Sequence, residues 1–221
     1  MLELKSDHTP VTQVDKQINS LVIDAIRTTY PDHGVLGEEE SSSAGNEAYQ
    51  WLCDPLDGTA PFIIGTKNST FILGLLQNGE LQLSVVYNPY DDKLYHAVRG
   101  QGAYCNDWPI HVNDQALSGS FVIYDNSSYV LYEKIVASGA VAEPCQGAGF
   151  RAMLLAEGRL SAIVQLKADF HDVGPASLIV EEAGGKVTDL NSAQPRYDGP
   201  LLNGLVLSNG VCHAELLKAI S

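Results

Sequence analysis

The chain has 221 residues, 45% of them hydrophobic, and carries 13 Lys plus Arg against 27 Asp plus Glu for a formal net charge of −14. That length supports one well-buried domain, or two fused halves sharing a core, and the acidic balance argues against nucleic acid or an anionic membrane, both of which need a basic face. No apolar run approaches the roughly 20 residues that span a bilayer, and the polar start Met1 to Asp7 lacks the features of a signal peptide, so a cytoplasmic location is expected.

In chain order, Val14, Ile18, Leu21, Val22, Ala25 and Ile26 recur at helical spacing, and Tyr30-Pro31 stops the run. Thr12 is the predicted N-cap, with Asp15 three positions later completing a capping box. The apolar Trp51-Leu52-Cys53 reads as a strand running into the turn Asp54-Pro55-Leu56-Asp57-Gly58-Thr59. Three strands follow, Ser69 to Leu76, Leu81 to Tyr87 and Lys93 to Val98, with a meander as the simplest arrangement. Further strands are expected at Phe121 to Tyr124, Leu160 to Leu166, Lys186 to Leu190 and Leu205 to Ser208. Helices are expected at Tyr129 to Ala137, Gly149 to Ala156, Val173 to Ala183 (closed by Gly184-Gly185) and Cys212 to Ile220. Helices mixed with mostly hairpin-linked strands favour α+β layers over a doubly wound parallel sheet. Cys53, Cys105, Cys145 and Cys212 stand far apart without a CxxC pair, and the histidines form no HxxxH or HExxH, so neither a disulfide scaffold nor a zinc site is expected.

Three acidic clusters are candidates for chemistry: Glu38-Glu39-Glu40, the Asp54 to Thr59 turn, and Asp172. The first reads equally as a solvated loop, Asp172 equally as a helix cap followed by a proline tolerated in the first turn, and Asp15 equally as no more than half of its capping box. The turn is more specific. Pro55 holds Asp54 extended, and Gly58 permits close backbone approach beside Asp57. Carboxylates three positions apart converge on a hard cation only if the chain bends between them, which leaves the Leu56 carbonyl as a further oxygen ligand. A helix starting here would turn the Gly58 and Thr59 N–H groups toward a phosphate.

At these residues the sequence resembles the inositol monophosphatase family of metal-dependent, lithium-sensitive phosphatases. Trp51 to Thr59 resembles its first signature, and His171-Asp172-Val173-Gly174 followed by Glu182 to Gly185 its second. Lys5-Ser6, Pro10 to Asp15, Leu36 to Glu39 and Gly100 to Asn106 resemble further blocks, in the family's order over nearly the whole chain. The resemblance implies a layered α+β sandwich of the inositol monophosphatase and fructose bisphosphatase type over residues 1–221. Residues 1–115 would carry most metal ligands, and 116–221 the substrate loop and the last ligand. Family members carry a helix ahead of the Lys5 block, an element this fold is expected to lack.

By resemblance, Glu38, Asp54 and the Leu56 carbonyl hold a first Mg²⁺; Asp54, Asp57 and Asp172 hold a second, with Glu38 at a third. Glu38 and Thr59 orient and deprotonate the attacking water, Asp15 holds the Thr59 hydroxyl, and the Gly58 and Thr59 backbone receives the phosphate. Such cations also explain how so acidic a chain handles an anion, since they reverse the local field. A small phosphorylated metabolite and a homodimer are the implied partners. His171 stands where the family commonly has Trp, Gln165 about where inositol-specific members have Glu, and Gly147 and Ala148 are the best counterparts of the substrate loop. Histidinol phosphate, sugar bisphosphates and phosphoadenosine phosphate are therefore as open as inositol phosphate. Two rivals are a haloacid dehalogenase type phosphatase, disfavoured because its two Asp stand at i and i+2 on one strand face, and a catalytically inactive binding relative.

Overall fold

The computed structural model describes residues 3–4, 10–42, 46–124, 128–145, 147–167, 169–197 and 204–221; the Lys5-Ser6 block lies outside them. Thr12 caps α1 (Gln13–Thr29): its hydroxyl accepts the Val14 N–H at 3.1 Å, and Asp15 Oδ2 accepts the Thr12 N–H at 2.9 Å. Ahead of it β1 (Glu3–Leu4) pairs antiparallel with β2 (Pro10–Val11). Seven strands then form one sheet in chain order: β3 (His33–Gly37), β4 (Asn46–Asp57), β5 (Thr70–Gln77), β6 (Glu80–Asn88), β7 (Lys93–Val98), β8 (Ala103–Cys105) and β9 (Trp108–Pro109). The short α2 (Thr59–Ile63) interrupts them between β4 and β5. The expected meander is β5 to β7, within one residue of its expected limits.

The second half runs β10 (Phe121–Tyr124), α3 (Tyr129–Ala137), β11 (Val141–Pro144), α4 (Ala148–Ala156), β12 (Ala162–Gln165), α5 (Phe170–Glu182), β13 (Lys186–Thr188), β14 (Leu205–Ser208) and α6 (His213–Ile220). Its five strands are ordered β11-β10-β12-β14-β13. Hairpin-like pairing does not describe all of this sheet, because β10 is parallel to both β11 and β12. Parallel neighbours need a crossover, and α3 supplies the one between β10 and β11.

Side-chain alternation shows how the layers stack. On β14, Leu205 and Leu207 join one core while Val206 joins another; on β12, Ile163 faces the first while Ala162 and Val164 face the second. The first core also takes Leu52 and Ile72 from the large sheet and Leu178 and Ile179 from α5, so α4 and α5 lie between the two sheets. Leu131 and Ile135 of α3 and Leu216 of α6 cover the outer face of the small sheet, and Ile23 and Ile26 of α1 pack with Val35 and Trp51 on the large one. The order is α, β, α, β, α. Strands covered on both faces read as continuous apolar runs, as Leu205 to Leu207 does.

The central helix begins earlier than its sequence indicates. α5 starts at Phe170, not Val173, and its N-cap is Asp169, whose carboxylate accepts the Phe170 N–H at 3.1 Å. Pro175 therefore sits beyond the first turn, where it cannot donate to the carbonyl of His171. Its ring is used for packing instead: a Cβ on Gly74 of β5 would come within 2.7 Å of it. Ser84 on β6 donates to the Pro175 carbonyl at 2.6 Å.

Candidate active site

The bend between Asp54 and Asp57 is built into the sheet. Asp54 pairs with Ile72 and Asp57 with Thr70, so three steps on β4 oppose two on β5. Pro55, which has no N–H to give the ladder, lies inside that bulge. Asp54 is buried and accepts the Leu56 N–H at 2.9 Å. Asp57 is buried too, and three donors hold it: Thr70 Oγ1 and the Gly149 N–H on Oδ2, both at 2.9 Å, and the Ala148 N–H on Oδ1 at 2.8 Å. It thus ties the end of β4 to the start of α4. Gly58 follows in the left-handed region at φ +80 and opens α2 at Thr59.

Asp15 reaches beyond its capping box. While Oδ2 serves Thr12, Oδ1 accepts the Thr59 hydroxyl at 3.2 Å, across 44 residues of sequence. The same hydroxyl lies 3.2 Å from the Leu56 carbonyl. One turn further along α1, the buried Asn19 donates to the Glu40 carbonyl at 3.1 Å, holding the loop that carries Glu38. The Glu38 N–H extends the parallel β3–β4 pairing by bonding the Cys53 carbonyl at 3.0 Å, which sets Glu38 beside Asp54.

Asp172 lies in the first turn of α5, and with Asp169 as the cap its carboxylate is not the N-cap acceptor. It lines a cavity of about 650 Å³ together with Asp57, Gly147, Ala148, Arg151 and Gln165. Gly147 has φ +82, and a Cβ there would meet the Asn68 carbonyl at 2.2 Å, so only glycine lets this loop approach. Ala148 is in the wall, but its N–H is engaged by Asp57 rather than directed into the cavity.

Burial, followed by the carboxylates of Asp172, Glu38 and Asp57, pushes the Asp54 carboxyl well above its ordinary 3.8. Burial also raises Asp57, opposed by the donors from Ala148, Thr70 and Gly149 and by the Arg151 charge. Asp54 is thus the carboxylate on which Asp57 of β4, Asp172 of α5 and Glu38 of the loop after β3 act together. Among the described residues, no three His, Cys, Asp or Glu side chains are drawn into a ready cage. The donor set is all oxygen and highly charged, which fits a hard divalent cation such as Mg²⁺ and not zinc.

Of the residues that the sequence singles out for chemistry, Asp57, Asp172, Gly147, Ala148 and Gln165 line this cavity, and Asp15, Glu38, Asp54, Leu56 and Thr59 connect to it through the contacts above, whereas Glu39 and Glu40 line a separate cavity with Lys16, Asn19 and Ser20. Arg151, Thr70 and Asn19 do not stand out in the sequence. A signal existed for Arg151: in a helix opening at Ala148 it follows Gly147 and Ala148 by four and three positions, which puts it over the helix start.

An α+β sandwich in which the buried Asp54 and Asp57 stand beside a cavity that Asp172 also lines is the arrangement expected of a metal-dependent phosphoric monoester hydrolase. The model of the inositol monophosphatase family matches residues 2–221, and the chain belongs to that family. Histidinol-phosphatase of Chlorobaculum parvum is 33% identical over 227 residues, covering 98% of this chain and 85% of that protein. A solved IMPase/NADP phosphatase complexed with Mg²⁺ and phosphate superposes with a TM-score of 0.89 at 27% identity, covering 99% of this chain and 85% of that one. The lithium chloride soaked inhibitory complex of staphylococcal inositol monophosphatase-1 gives 0.88 at 27% identity, with 99% and 84% covered.

Proposed function

We propose that Glu38, Asp54, the Leu56 carbonyl, Asp57 and Asp172 hold two or three Mg²⁺ ions, and that the chain uses them to hydrolyse a small phosphate monoester by direct attack of water. The observation that carries this reading is that Asp57 and Asp172 line one cavity, with the buried Asp54 on the same bulge of β4 as Asp57 and Glu38 beside it. Mg²⁺ held there supplies positive charge against the phosphoryl oxygens and acidifies water. Asp57 retains capacity for it, since a carboxylate offers about four acceptor positions and three are taken.

Thr59 and Glu38 handle the water. The charged Asp15 is the stronger acceptor for the Thr59 proton, so the Thr59 oxygen keeps its lone pairs for a hydrogen of the water, whose proton Glu38 takes. The Gly58 and Thr59 N–H groups at the start of α2 receive the phosphate. The departing part of the substrate lies toward Gly147, Ala148 and Gln165. A neutral amide at Gln165 is a weaker acceptor for sugar hydroxyls than a carboxylate, which favours histidinol phosphate, sugar bisphosphates or phosphoadenosine phosphate over inositol monophosphate. The net charge of −14 supports a small-molecule partner over nucleic acid. The free cysteines support a reducing, cytoplasmic compartment; no helix among the described residues is long and apolar enough to cross a membrane. Resemblance to the family supports lithium inhibition and a homodimer.

The test is release of phosphate from a panel of these esters with and without Mg²⁺, for the native chain and Asp172→Asn. Metal-dependent turnover that the substitution abolishes, with the fold intact, is the expected result. Near-normal turnover of Asp172→Asn at saturating Mg²⁺ would sink the ligand assignment, and no turnover of any ester would favour an inactive relative.

A further inference from the structure

Three consecutive residues ahead of and at the start of β5 meet the turn that ends β4. Thr70 Oγ1 donates to Asp57 Oδ2 at 2.9 Å, and Ser69 Oγ donates to the next residue's carbonyl, that of Gly58, at 2.8 Å. The Asn68 carbonyl passes so close that a Cβ would lie 3.0 Å from it at Gly58 and 2.2 Å from it at Gly147. Ser69 is fully buried. Its hydroxyl needs an acceptor, but the Gly58 carbonyl does not need Ser69, because the Phe62 N–H already donates to that oxygen at 3.0 Å. The second bond therefore adds direction rather than satisfaction.

Direction matters because the Gly58 carbonyl and the Thr59 N–H belong to one planar peptide unit. No peptide bond among the described residues is cis, so this N–H points opposite to the carbonyl, away from Ser69. Thr59 is the first residue of α2, and its N–H has no carbonyl of that helix to reach. A carbonyl that accepts hydrogen bonds also polarises the N–H of its own unit and makes it a stronger donor. The same plane carries the Thr59 Cα, and with it the hydroxyl whose proton Asp15 accepts at 3.2 Å. We infer that Ser69 is a positioning residue, whose bond to the Gly58 carbonyl aims the Thr59 N–H at the phosphate and holds the Thr59 hydroxyl on the attacking water. This rests on the phosphatase reading and adds to it a buried side chain that touches neither substrate nor metal.

The experiment measures kcat, the Mg²⁺ concentration giving half activity, and product inhibition by inorganic phosphate. It compares the native chain with Ser69→Ala and Ser69→Cys on the ester of the panel that turns over fastest. Both substitutions should lower kcat by about 10- to 100-fold, the scale of a slightly misplaced group, and weaken inhibition by phosphate, with the Mg²⁺ requirement unchanged. Cysteine keeps the volume of the side chain but is a weak donor, so a loss in both variants belongs to the hydrogen bond and not to a void. Should Ser69→Ala fail to fold, Ser69→Cys decides alone. Native kcat in Ser69→Cys, unchanged inhibition by phosphate, a loss that high Mg²⁺ restores, or failure of both variants to fold would each assign the hydroxyl to packing or to the metal site. Any of these overturns the inference and leaves the phosphatase reading intact. No turnover of any ester by the native chain defeats both readings.

Discussion

Asp15, Asp57 and Asp54 each serve structure and site with the same carboxylate. Asp15 gives one oxygen to its capping box and the other to Thr59, so the start of α1 and the start of α2 are fixed by one side chain. That arrangement makes Thr59 testable. Thr59→Ala removes the hydroxyl while leaving all four site carboxylates, so kcat should fall by roughly two to four orders of magnitude, the usual scale for positioned acid–base help, with little change in the Mg²⁺ concentration required. Thr59→Ser keeps the hydroxyl and should recover most of the rate. Loss of activity that high Mg²⁺ restores would assign the hydroxyl to metal binding instead. At this scale much was legible: Thr12 and Asp15 announce themselves by spacing, and Asp54-Pro55-Leu56-Asp57-Gly58 by turn chemistry. Thr70, Asn19 and Arg151 did not, because their partners are Asp57, 13 residues away, the Glu40 carbonyl, 21 away, and the wall of a cavity that only the fold creates.

Elements meet the site through close backbone approach, and Gly147 is the tightest such point. Its left-handed φ of +82 and the Asn68 carbonyl 2.2 Å from a would-be Cβ leave no room for a side chain. Gly147→Ala should therefore push α4 away from the β4–β5 connection and loosen the Ala148 and Gly149 bonds to Asp57. We expect a loss of about 1–3 kcal/mol in stability from the backbone alone, together with a raised KM. Unchanged thermal unfolding and unchanged KM would show that the loop yields at no cost. Helix interiors and the meander were readable from periodicity, whereas boundaries set by tertiary contacts were not. α5 is expected from Val173 with Pro175 in its first turn, but it starts at Phe170, and Pro175, now beyond that turn, packs on Gly74 while Ser84 meets its carbonyl. β11 escaped notice because Val141–Pro144 has no buried member and is held as an edge strand by parallel pairing to β10 alone.

Across the whole molecule, pH sets two buried groups of opposite sign against each other. His213 is buried between Thr188 and Ser208, and burial, then the Lys186 charge, lowers it from 6.5 to about 4. As pH falls from 6.5 toward 4 the unfolded chain binds a proton that the native one refuses, so stability is lost over that window. Asp54 works the other way. With its native value raised above 3.8 by burial and neighbouring carboxylates, the metal-free native chain takes up a proton before the unfolded chain does, and this gains stability as pH falls toward 3.8. Without metal the two contributions oppose each other. Bound Mg²⁺ favours the ionised carboxylates, reverses the sign of the Asp54 contribution and aligns it with that of His213. Denaturant unfolding between pH 7.5 and 4.5 should therefore show a steeper acid loss with saturating Mg²⁺ than with a chelator, and Asp54→Asn should remove most of the difference. Identical pH profiles with and without Mg²⁺ would mean that the ion does not bind at Asp54, and the ligand set would have to be redrawn without its most deeply buried member.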